Sequence, residues 1–442
     1  MPASLSNAPG SRFTGKRPAP ASFLPRDAVC WLLLAWFLSI PSLTACEGGG
    51  EEPHSFTRVR EEGVRVVRNQ GGPRFAGDLF DYQRIAVLQQ RPEQPESLLF
   101  DDVRYLHTVE GFFMGGDGRF YVGDRGNARI AVFDSSGRYV DSFGGRGQGP
   151  GEFMFMELVD LEDGVLTAID HNLHRTTRYR TDGTLLETIP EVRAHPRCGE
   201  VTIRSGGPSY YDEQGHLWMA AGFTAWGPEG EELGEAATEP IRILYALDTP
   251  GQGKGGQSRP PMPYIARPQT RILEDCSVLL SDGVRPMLWQ YEPDGSLRRR
   301  IETGVTPRRI RETERERFYR DLDERIAEAD EDEARYLLLE RAAVPFPEYG
   351  SLWGRIFTDE YGFIWLEEYQ EPFEISDRGG GVSYYLLSPE GEYLGTTRAP
   401  GSGRVMRGHL LGEVVDAQNE RDEKAAWRLA ARPEGFVYPP QR

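Results

Sequence analysis

The sequence is poor in lysine, in cysteine and in long apolar runs, and each shortage excludes a class of protein. Only three of the 442 residues are lysine, and 51 basic side chains stand against 69 acidic ones, for a formal net charge of −18. This excess of acid argues against nucleic-acid binding, which needs a basic face. Four cysteines without zinc-ligand spacing exclude a zinc site and a disulfide-stapled mini-protein. The aromatic content of 11% is too high for a disordered chain.

Signatures of catalysis are also missing. Neither a G-x-S-x-G nucleophile elbow nor an H-E-x-x-H metal motif occurs in the sequence. The glycine-rich run 144–151 superficially resembles a phosphate-binding loop, but the residues after it lead to another strand and not to a helix. We therefore interpret this run as a connection between repeated units, in which glycine permits positive φ.

The first 45 residues have the parts of a secretory signal. Basic residues precede an apolar run from Ala28 to Ile40, about 13 residues, which is too short to span a membrane as a helix. The segment ends in Leu43-Thr44-Ala45-Cys46, which resembles the lipobox of bacterial lipoproteins. The resemblance implies cleavage before Cys46 and acylation of that residue. An uncleaved membrane anchor and a soluble secreted form are the alternatives.

Lipidation would also predict where the protein resides. Acyl chains on Cys46 would anchor it to a membrane, and residues 46–74 are predicted to contain the acylated cysteine and a flexible tether. Position 47 is glutamate and not the aspartate that retains many lipoproteins at the inner membrane. We therefore expect the outer membrane of a bacterial envelope, facing the periplasm or the cell surface. In that oxidising compartment Cys198 and Cys276 could form a disulfide.

A repeat organises the rest of the chain. Five segments carry an aromatic residue or leucine four positions before a glycine, and each follows a residue that opens a short β-rich run. The opening residues are Gly118, Gly164, Gly215, Cys276 and Gly362, and the segments end at Gly137, Gly183, Gly251, Gly295 and Gly391. The separation is identical in three of the five units. Short strands bounded by glycine, aspartate and proline at such spacing predict a sandwich or a propeller.

One unit carries a family resemblance. The run from Gly116 to Phe153 contains Gly-Asp-Arg-Gly-Asn-Ala-Arg-Ile-Ala-Val-Phe-Asp and Gly-Gln-Gly-Pro-Gly-Glu-Phe. It resembles the NHL-type repeats of six-bladed β-propellers, and residues 75–435 look like bacterial propeller lipoproteins related to NHL and TolB-like propellers. The resemblance implies an all-β, six-bladed β-propeller followed by a C-terminal tail, residues 436–442. Seven blades are the alternative.

Two segments modify this plan. The last unit, 405–429, lacks a strand, which residues 84–88 are predicted to supply, so that the two ends of the ring are joined. Residues 306–343 break the β pattern: Thr306-Pro307 predicts a helix start, and Asp330 with Glu333 predicts the cap of a second helix. We predict a helical insertion between blades five and six, which serves as a packing cover or as a lid or partner-binding arm.

Acidic residues recur six positions after the opening residues. They are Asp124, Asp170, Asp282 and Glu368, and Ala221 takes the fifth position. Equivalent positions of a propeller surround its axis, so these carboxylates would converge and could bind a hard cation, with Ca²⁺ as the candidate. The alternative is that each acid shapes its own turn by accepting backbone N–H bonds.

The histidines and tryptophans favour ordinary structural roles. His171 and His174 follow Asp170, but residues three apart on a strand and its loop do not share a face, so we interpret them as solvated. Trp218, Trp289, Trp353 and Trp365 lie on or near predicted strands, which favours packing between blades over a sugar-binding platform.

Two functions remain open at this stage. The first is a lipid-anchored module that binds or scaffolds a protein, peptide or polymer, with the membrane as its other partner and no cofactor or nucleic acid. The second is a divalent-cation-dependent enzyme of the lactonase or lyase kind, in which a cation on the axial acids would polarise a carbonyl.

Overall fold

Short antiparallel sheets follow one another along the chain. The computed structural model describes residues 54–88, 111–190, 198, 201–248, 258–369, 381–416 and 421–440. The first strands are β1 (Ser55–Glu61), β2 (Val64–Gln70) and β3 (Phe80–Val87). The first sheet contains β4 (Phe112–Met114), β5 (Phe120–Asp124), β6 (Arg129–Phe133) and β7 (Tyr139–Gly144). The second contains β8 (Met156–Glu162), β9 (Val165–Asp170), β10 (Arg175–Arg180) and β11 (Leu185–Ile189).

The first sheet confirms the strands that the repeat predicts. Strands are predicted over 118–124 and 129–133, and the structure has β5 and β6 there. Gly118 and Gly137 lie in the flanking turns with φ of 77° and 85°, a conformation that favours glycine. Every residue of β6 is buried, because both faces of its sheet pack against neighbouring sheets.

The third unit is irregular. Its strands form three small sheets, β12–β15–β16, β13–β14–β17 and β18–β19. Their bounds are β12 (Thr202–Ser205), β13 (Ser209–Tyr211), β14 (Leu217–Met219), β15 (Gly222–Trp226), β16 (Glu232–Ala237), β17 (Ile241–Arg242), β18 (Leu244–Ala246) and β19 (Ser258–Pro261). A disulfide between Cys198 and Cys276, with Cα atoms 5.4 Å apart, connects this unit to the next one.

The remaining sheets are regular. The fourth contains β20 (Gln269–Ile272), β21 (Val278–Ser281), β22 (Met287–Tyr291) and β23 (Leu297–Glu302); the fifth contains β24 (Trp353–Thr358), β25 (Ile364–Glu368), β26 (Val382–Leu387) and β27 (Tyr393–Ala399). The closing sheet contains β28 (Ser402–Met406), β29 (His409–Asp416), β30 (Arg421–Ala431) and, at its outer edge, β3. The register pairs Phe80 with Ala431 and Arg84 with Trp427, so the predicted closure by the start of the chain is confirmed.

The predicted tether is wrong over residues 55–70. These residues form the hairpin β1–β2, and β2 pairs in parallel with β23, which extends the fourth sheet to six strands. Val66 and Val67 are fully buried there. The hairpin could not be predicted from the sequence because its exposed positions are charged. Such a pattern is also typical of a solvated linker when the partner strand is not known.

Helices α1 (Glu312–Glu328) and α2 (Glu331–Ala343) lie between β23 and β24. Counted from β4, they follow the fourth sheet and not the fifth, because the unit that opens at Gly362 comes after them. The first helix starts later than Thr306-Pro307 predicts, because the Ile310 N–H bonds to the Glu348 carbonyl at 3.1 Å and so holds the preceding chain extended. The predicted second cap is confirmed: the Asp330 carboxylate accepts the Glu333 N–H at 2.9 Å.

Apolar clusters lie between successive sheets. The first sheet packs against the second around Tyr121 and Leu158, and against the closing sheet around Phe120 and Leu411. Equivalent clusters join the third unit to the fourth sheet, the fourth to the fifth, and the fifth to the closing sheet. Because these clusters are shared between neighbouring sheets, none of the sheets could bury its apolar residues alone. Within the part of the chain that the structure describes, none of the helices combines the length and apolar character needed to cross a membrane.

The C-terminal segment is packed and not a free tail, at least to Tyr438. Phe436 and Tyr438 are buried in the cluster between the fifth and closing sheets. The ring of Tyr438 lies 5.0 Å from that of Phe80, and its hydroxyl donates to Asp359 at 2.8 Å. Asp359 also accepts the Trp365 indole N–H at 3.0 Å. A turn carboxylate of one sheet therefore holds the end of the chain.

Burial raises the pKa of Asp359 to about 6, although the Trp365 and Tyr438 donors oppose this. The folded protein therefore holds this proton at pH values where the unfolded chain has lost it, and the resulting stability disappears as the pH rises from about 4 to about 6. We predict that the free energy of unfolding falls by about 3 kcal/mol over this range relative to Asp359→Asn. Chemical denaturation of both proteins across this range tests it. Parallel pH profiles would contradict it.

Candidate functional site

One end of the sheets collects the features that the sequence singled out. Strands within a sheet alternate in direction, so the turn between the second and third strands lies at the same end as the connections between sheets. We call this end the link end. It carries the turns after Asp124, Asp170 and Asp282, the connection 145–155, and the segment 303–352 with α1 and α2.

Asp170 organises the connection from the first sheet to the second. Its carboxylate is fully buried and accepts the N–H groups of Met154 (2.6 Å), Phe155 (3.2 Å), Asn172 (2.9 Å) and Leu173 (2.9 Å). Burial opposes the negative charge, but these four backbone donors outweigh it and lower the pKa of Asp170. The side chain thus fixes its own turn and the chain that enters the second sheet.

Asp124 and Asp282 stabilise their own turns in the same way. Asp124 is fully buried and accepts Arg129 Nε and Asn127 Nδ2, each at 2.9 Å. Asp282 accepts the N–H groups of the two residues at its turn, Val284 and Arg285, at 2.9 Å each, and Arg285 Nε at 2.5 Å. For the three aspartates, the structure has the turn-shaping arrangement that the sequence offered as the alternative to a cation ring.

The other two equivalent positions differ. Glu368 lies beside Tyr385, whose pKa is raised by burial and then by the Glu368 charge. Ala221 is buried, and its N–H donates to Thr238 Oγ1 at 3.1 Å. Across the described residues, the structure brings together no group of three or more His, Cys, Asp or Glu side chains that could hold a metal ion. The four acids therefore do not meet as a cation site in this structure.

The turns that these aspartates support present arginine beside aromatic and apolar side chains. The Arg125 guanidinium lies 3.9 Å from the centroid of the Phe155 ring, and the adjacent Met154 is 38% exposed. This distance suits a cation–π contact, which holds both side chains at the surface. Arg175 braces the same connection, because its Nη atoms donate to the carbonyls of Gln148 and Gly149 at 2.9 Å each.

The Asp282 turn repeats this arrangement in the fourth sheet. Arg285 lies 4.8 Å over the Trp289 ring, and Val284 is 46% exposed. Farther along the link end, Arg309 lies 5.6 Å from the ring of the exposed Tyr349. The link end therefore combines exposed or half-buried Arg, Met, Phe, Trp and Tyr, the residue types that are enriched at protein interfaces.

The histidines and tryptophans occupy ordinary environments. His171 is half exposed and contacts Glu157 at 3.0 Å, while His174 occupies a position with φ of 48° in the same turn. Trp353 and Trp365 are buried between sheets, as packing predicts. Trp218 donates to Asp212 at 2.9 Å and lies parallel to Tyr210.

The helices cover the third unit. Phe318, Tyr336 and Leu339 pack against Tyr245 and Met262. This contact supports the packing role that the sequence offered for this segment. On the helices themselves, a shallow groove of about 570 Å³ is lined by Tyr319, Asp323 and Arg341, and Arg341 forms an ion pair with Asp323 there.

A polar network between the fifth and closing sheets was missed from the sequence. Arg355 donates to Glu367 at 3.0 Å and to the Gly403 carbonyl, and Glu367 also accepts the hydroxyls of Tyr384 (3.1 Å) and Ser402 (2.9 Å). The only signal in the sequence is an arginine within the strand-like run 353–358. Its partners lie on other strands, which spacing alone does not reveal.

Several predicted features lie outside the described residues. They are the signal 1–45, Cys46 with the tether residues 47–53, Gly251, and the last two residues of the predicted tail, 441–442. The structure therefore does not bear on them.

Comparison with known families identifies the architecture. Residues 102–192, which include the whole of the first and second sheets, match the model of a family described as 6-bladed beta-propeller. The chain is a β-propeller. Its six sheet-forming units and its closure by β3 agree with that description, and the regular sheets are blades of this propeller.

Solved structures similar to this propeller share little sequence with it. A member of the DUF4221 family from Bacteroides vulgatus is 10% identical and has a TM-score of 0.39, with 80% of this chain and 99% of that chain covered. A calcium-binding protein, regucalcin, from Agrobacterium tumefaciens is 10% identical, with a TM-score of 0.29 and coverage of 73% and 91%. A virginiamycin B lyase from Staphylococcus aureus is 10% identical, with a TM-score of 0.27 and coverage of 72% and 83%. No curated protein matches the sequence.

Proposed function

We propose that this propeller is a lipid-anchored binding module of the bacterial envelope whose link end receives a protein or peptide partner. The observation that carries the proposal is the Arg125–Phe155–Met154 surface, which the buried Asp170 carboxylate holds in place. Rigid sheets with function on their connecting loops are a common arrangement. Arginine, methionine and aromatic side chains are enriched at protein interfaces, and arginine and aromatic residues carry much of the binding energy there.

The anchor is the second part of the proposal. Cys46, at the end of the lipobox-like Leu43-Thr44-Ala45-Cys46, is acylated after removal of residues 1–45, and the mature protein resides on the outer membrane. The likeness of 116–153 to NHL-type repeats, which are related to TolB-like propellers, supports this class of envelope protein. A mass spectrum of the N-terminal peptide of the membrane-extracted protein tests the acylation directly.

Binding is favoured over the cation-dependent enzyme because the aspartate oxygens are already engaged. Asp170 accepts four backbone donors, and Asp282 accepts two backbone N–H groups and Arg285. A cation would have to displace these contacts before it could polarise a substrate.

A charge reversal on the link end tests the binding role. We expect Arg125→Glu to reduce recovery of the native partner from detergent-solubilised envelope at least tenfold, because the change removes the cation–π pair and places an acid in the contact surface. Arg84→Glu is the control: Arg84 is exposed and lies away from the link end, on the outer strand β3, whereas Arg125 is half-buried. Equal loss with both variants, or no loss with Arg125→Glu, would contradict the proposal.

A further inference from the structure

The N-terminal hairpin carries an unusual row of like charges. The register places Arg60 of β1 directly opposite Arg65 of β2, and Arg65 directly opposite Arg299 of β23. Arg58 shares their face, two residues before Arg60 on the same strand. Like charges opposite one another destabilise a sheet, so a row of them needs compensation or a binding partner.

The acids at adjacent positions of these strands are used by other arginines. Side chains alternate between the two faces of a strand, so Glu61, which follows Arg60 directly, and Glu302 project from the opposite face. There Glu61 forms ion pairs with Arg68 and Arg300, and Glu302 pairs with Arg68 at 3.1 Å. Within the described part of the chain, Arg58, Arg60 and Arg65 are exposed and none of them has an ion pair, although Arg58 lies 5.0 Å over the Phe56 ring.

Arg299, the member of the row on β23, is affected by the positive charge of its neighbours. Arg299 is 8% exposed and donates to Gln290 at 2.6 Å. Burial, followed by the charges of Arg65 and Arg298, lowers the pKa of Arg299 to about 10, although the charges of Glu390 and Asp275 oppose this. An anion outside the hairpin would relieve this repulsion.

We propose that the face formed by Arg58, Arg60 and Arg65 docks on the anionic phospholipid headgroups of the membrane that holds the protein. This inference rests on the proposed acylation of Cys46. Seven residues separate Cys46 from His54, where the described structure begins, and a chain of that length reaches at most about 28 Å. Because β1 itself is about 23 Å long, the acyl chains can lie level with Arg60.

Charge favours a membrane as the occupant. The chain carries −18 overall, so an anionic surface repels most of the protein and attracts this face, which selects one orientation.

Arginine reactivity tests the proposal in the intact, membrane-extracted protein. The protein is placed in vesicles of phosphatidylglycerol with phosphatidylcholine, or of phosphatidylcholine alone, and phenylglyoxal adducts are quantified by mass spectrometry. We expect Arg58, Arg60 and Arg65 to react roughly fivefold more slowly on the anionic vesicles, with the difference abolished by high salt. The exposed Arg84 and Arg180 serve as controls and should react equally on both. The double variant Arg60→Gln with Arg65→Gln should remove the protection of Arg58.

The outcomes separate the two proposals. Equal reactivity of the three arginines on both kinds of vesicle overturns the docking surface, whatever the state of Cys46. Protection in native envelope but not on phosphatidylglycerol vesicles also overturns it and assigns the face to a different anionic partner. The mass of the N-terminal peptide in the same samples decides the acyl anchor separately.

Discussion

Replacing Asp170 with alanine is expected to lower the free energy of unfolding by about 4 kcal/mol. Four backbone N–H groups lose their acceptor, and each buried donor left unsatisfied costs about 1–3 kcal/mol. All four donors belong to exposed or half-buried residues, so water can replace the carboxylate at part of them and the sum stays well below the upper limit. Urea denaturation followed by tryptophan fluorescence measures the change.

Asp141→Ala is the matched control for this prediction. Asp141 is exposed on β7 and accepts the N–H of the next residue, Ser142, so its loss should cost no more than about 0.5 kcal/mol. The cation-ring hypothesis predicts a different pattern. It predicts that the wild-type protein has a higher melting temperature in Ca²⁺ than in chelator, and that Asp170→Ala lowers the melting temperature only when Ca²⁺ is present. That result would make Asp170 a Ca²⁺ ligand and would contradict our assignment.

The second large effect is expected at the C-terminal segment. Tyr438→Ala should lower the free energy of unfolding by about 4 kcal/mol, because it empties an aromatic site among Phe80, Phe363 and Trp365 and removes a donor from the buried Asp359. Tyr438→Phe keeps the ring and should cost about 1.5 kcal/mol. Thermal and urea denaturation of the three proteins give the comparison.

Val437 supplies the control within the same segment. It precedes Tyr438 directly and is 55% exposed, so Val437→Ala should change stability by less than about 0.5 kcal/mol. If Tyr438→Ala were as mild as Val437→Ala, the segment would be peripheral and the account of the chain end as part of the core would fail.

The repeat predicted the sheets because turns constrain local sequence. A glycine at positive φ precedes β5, and the consecutive apolar residues after it are typical of a strand that is buried on both faces. The closure by β3 was predictable for a related reason: the last unit lacked a strand, and the run 84–88 was the unassigned apolar segment near the start.

The hairpin β1–β2 and the end of the chain were not predictable. Both are stabilised by partners distant in sequence: β2 pairs with β23, and Tyr438 packs beside Asp359. Charged residues on the hairpin's exposed positions and proline near the terminus look like solvated chain when those partners are unknown. Local composition cannot distinguish a solvated segment from one that pairs or packs with a sheet distant in sequence.

The candidate site was predicted in part. The spacing located Asp124, Asp170 and Asp282 at one end of the sheets, which the structure has, but spacing alone left open whether their carboxylates meet at the axis or bind their own turns. That choice depends on side-chain direction at the end of each strand. The Arg125–Phe155 contact joins a turn within the first sheet to the connection between the first and second sheets, so no single motif encodes it.

Site-specific photo-crosslinking tests the central claim, that the link end is the partner-binding surface, most directly. A photoreactive amino acid replaces Met154 at the link end or Val140 on the outer strand β7; these side chains are 38% and 48% exposed. Irradiation of cells that carry each variant should give a discrete crosslinked adduct at position 154 and none at position 140. An adduct at position 140 alone, or the same adducts at both positions, would contradict the claim.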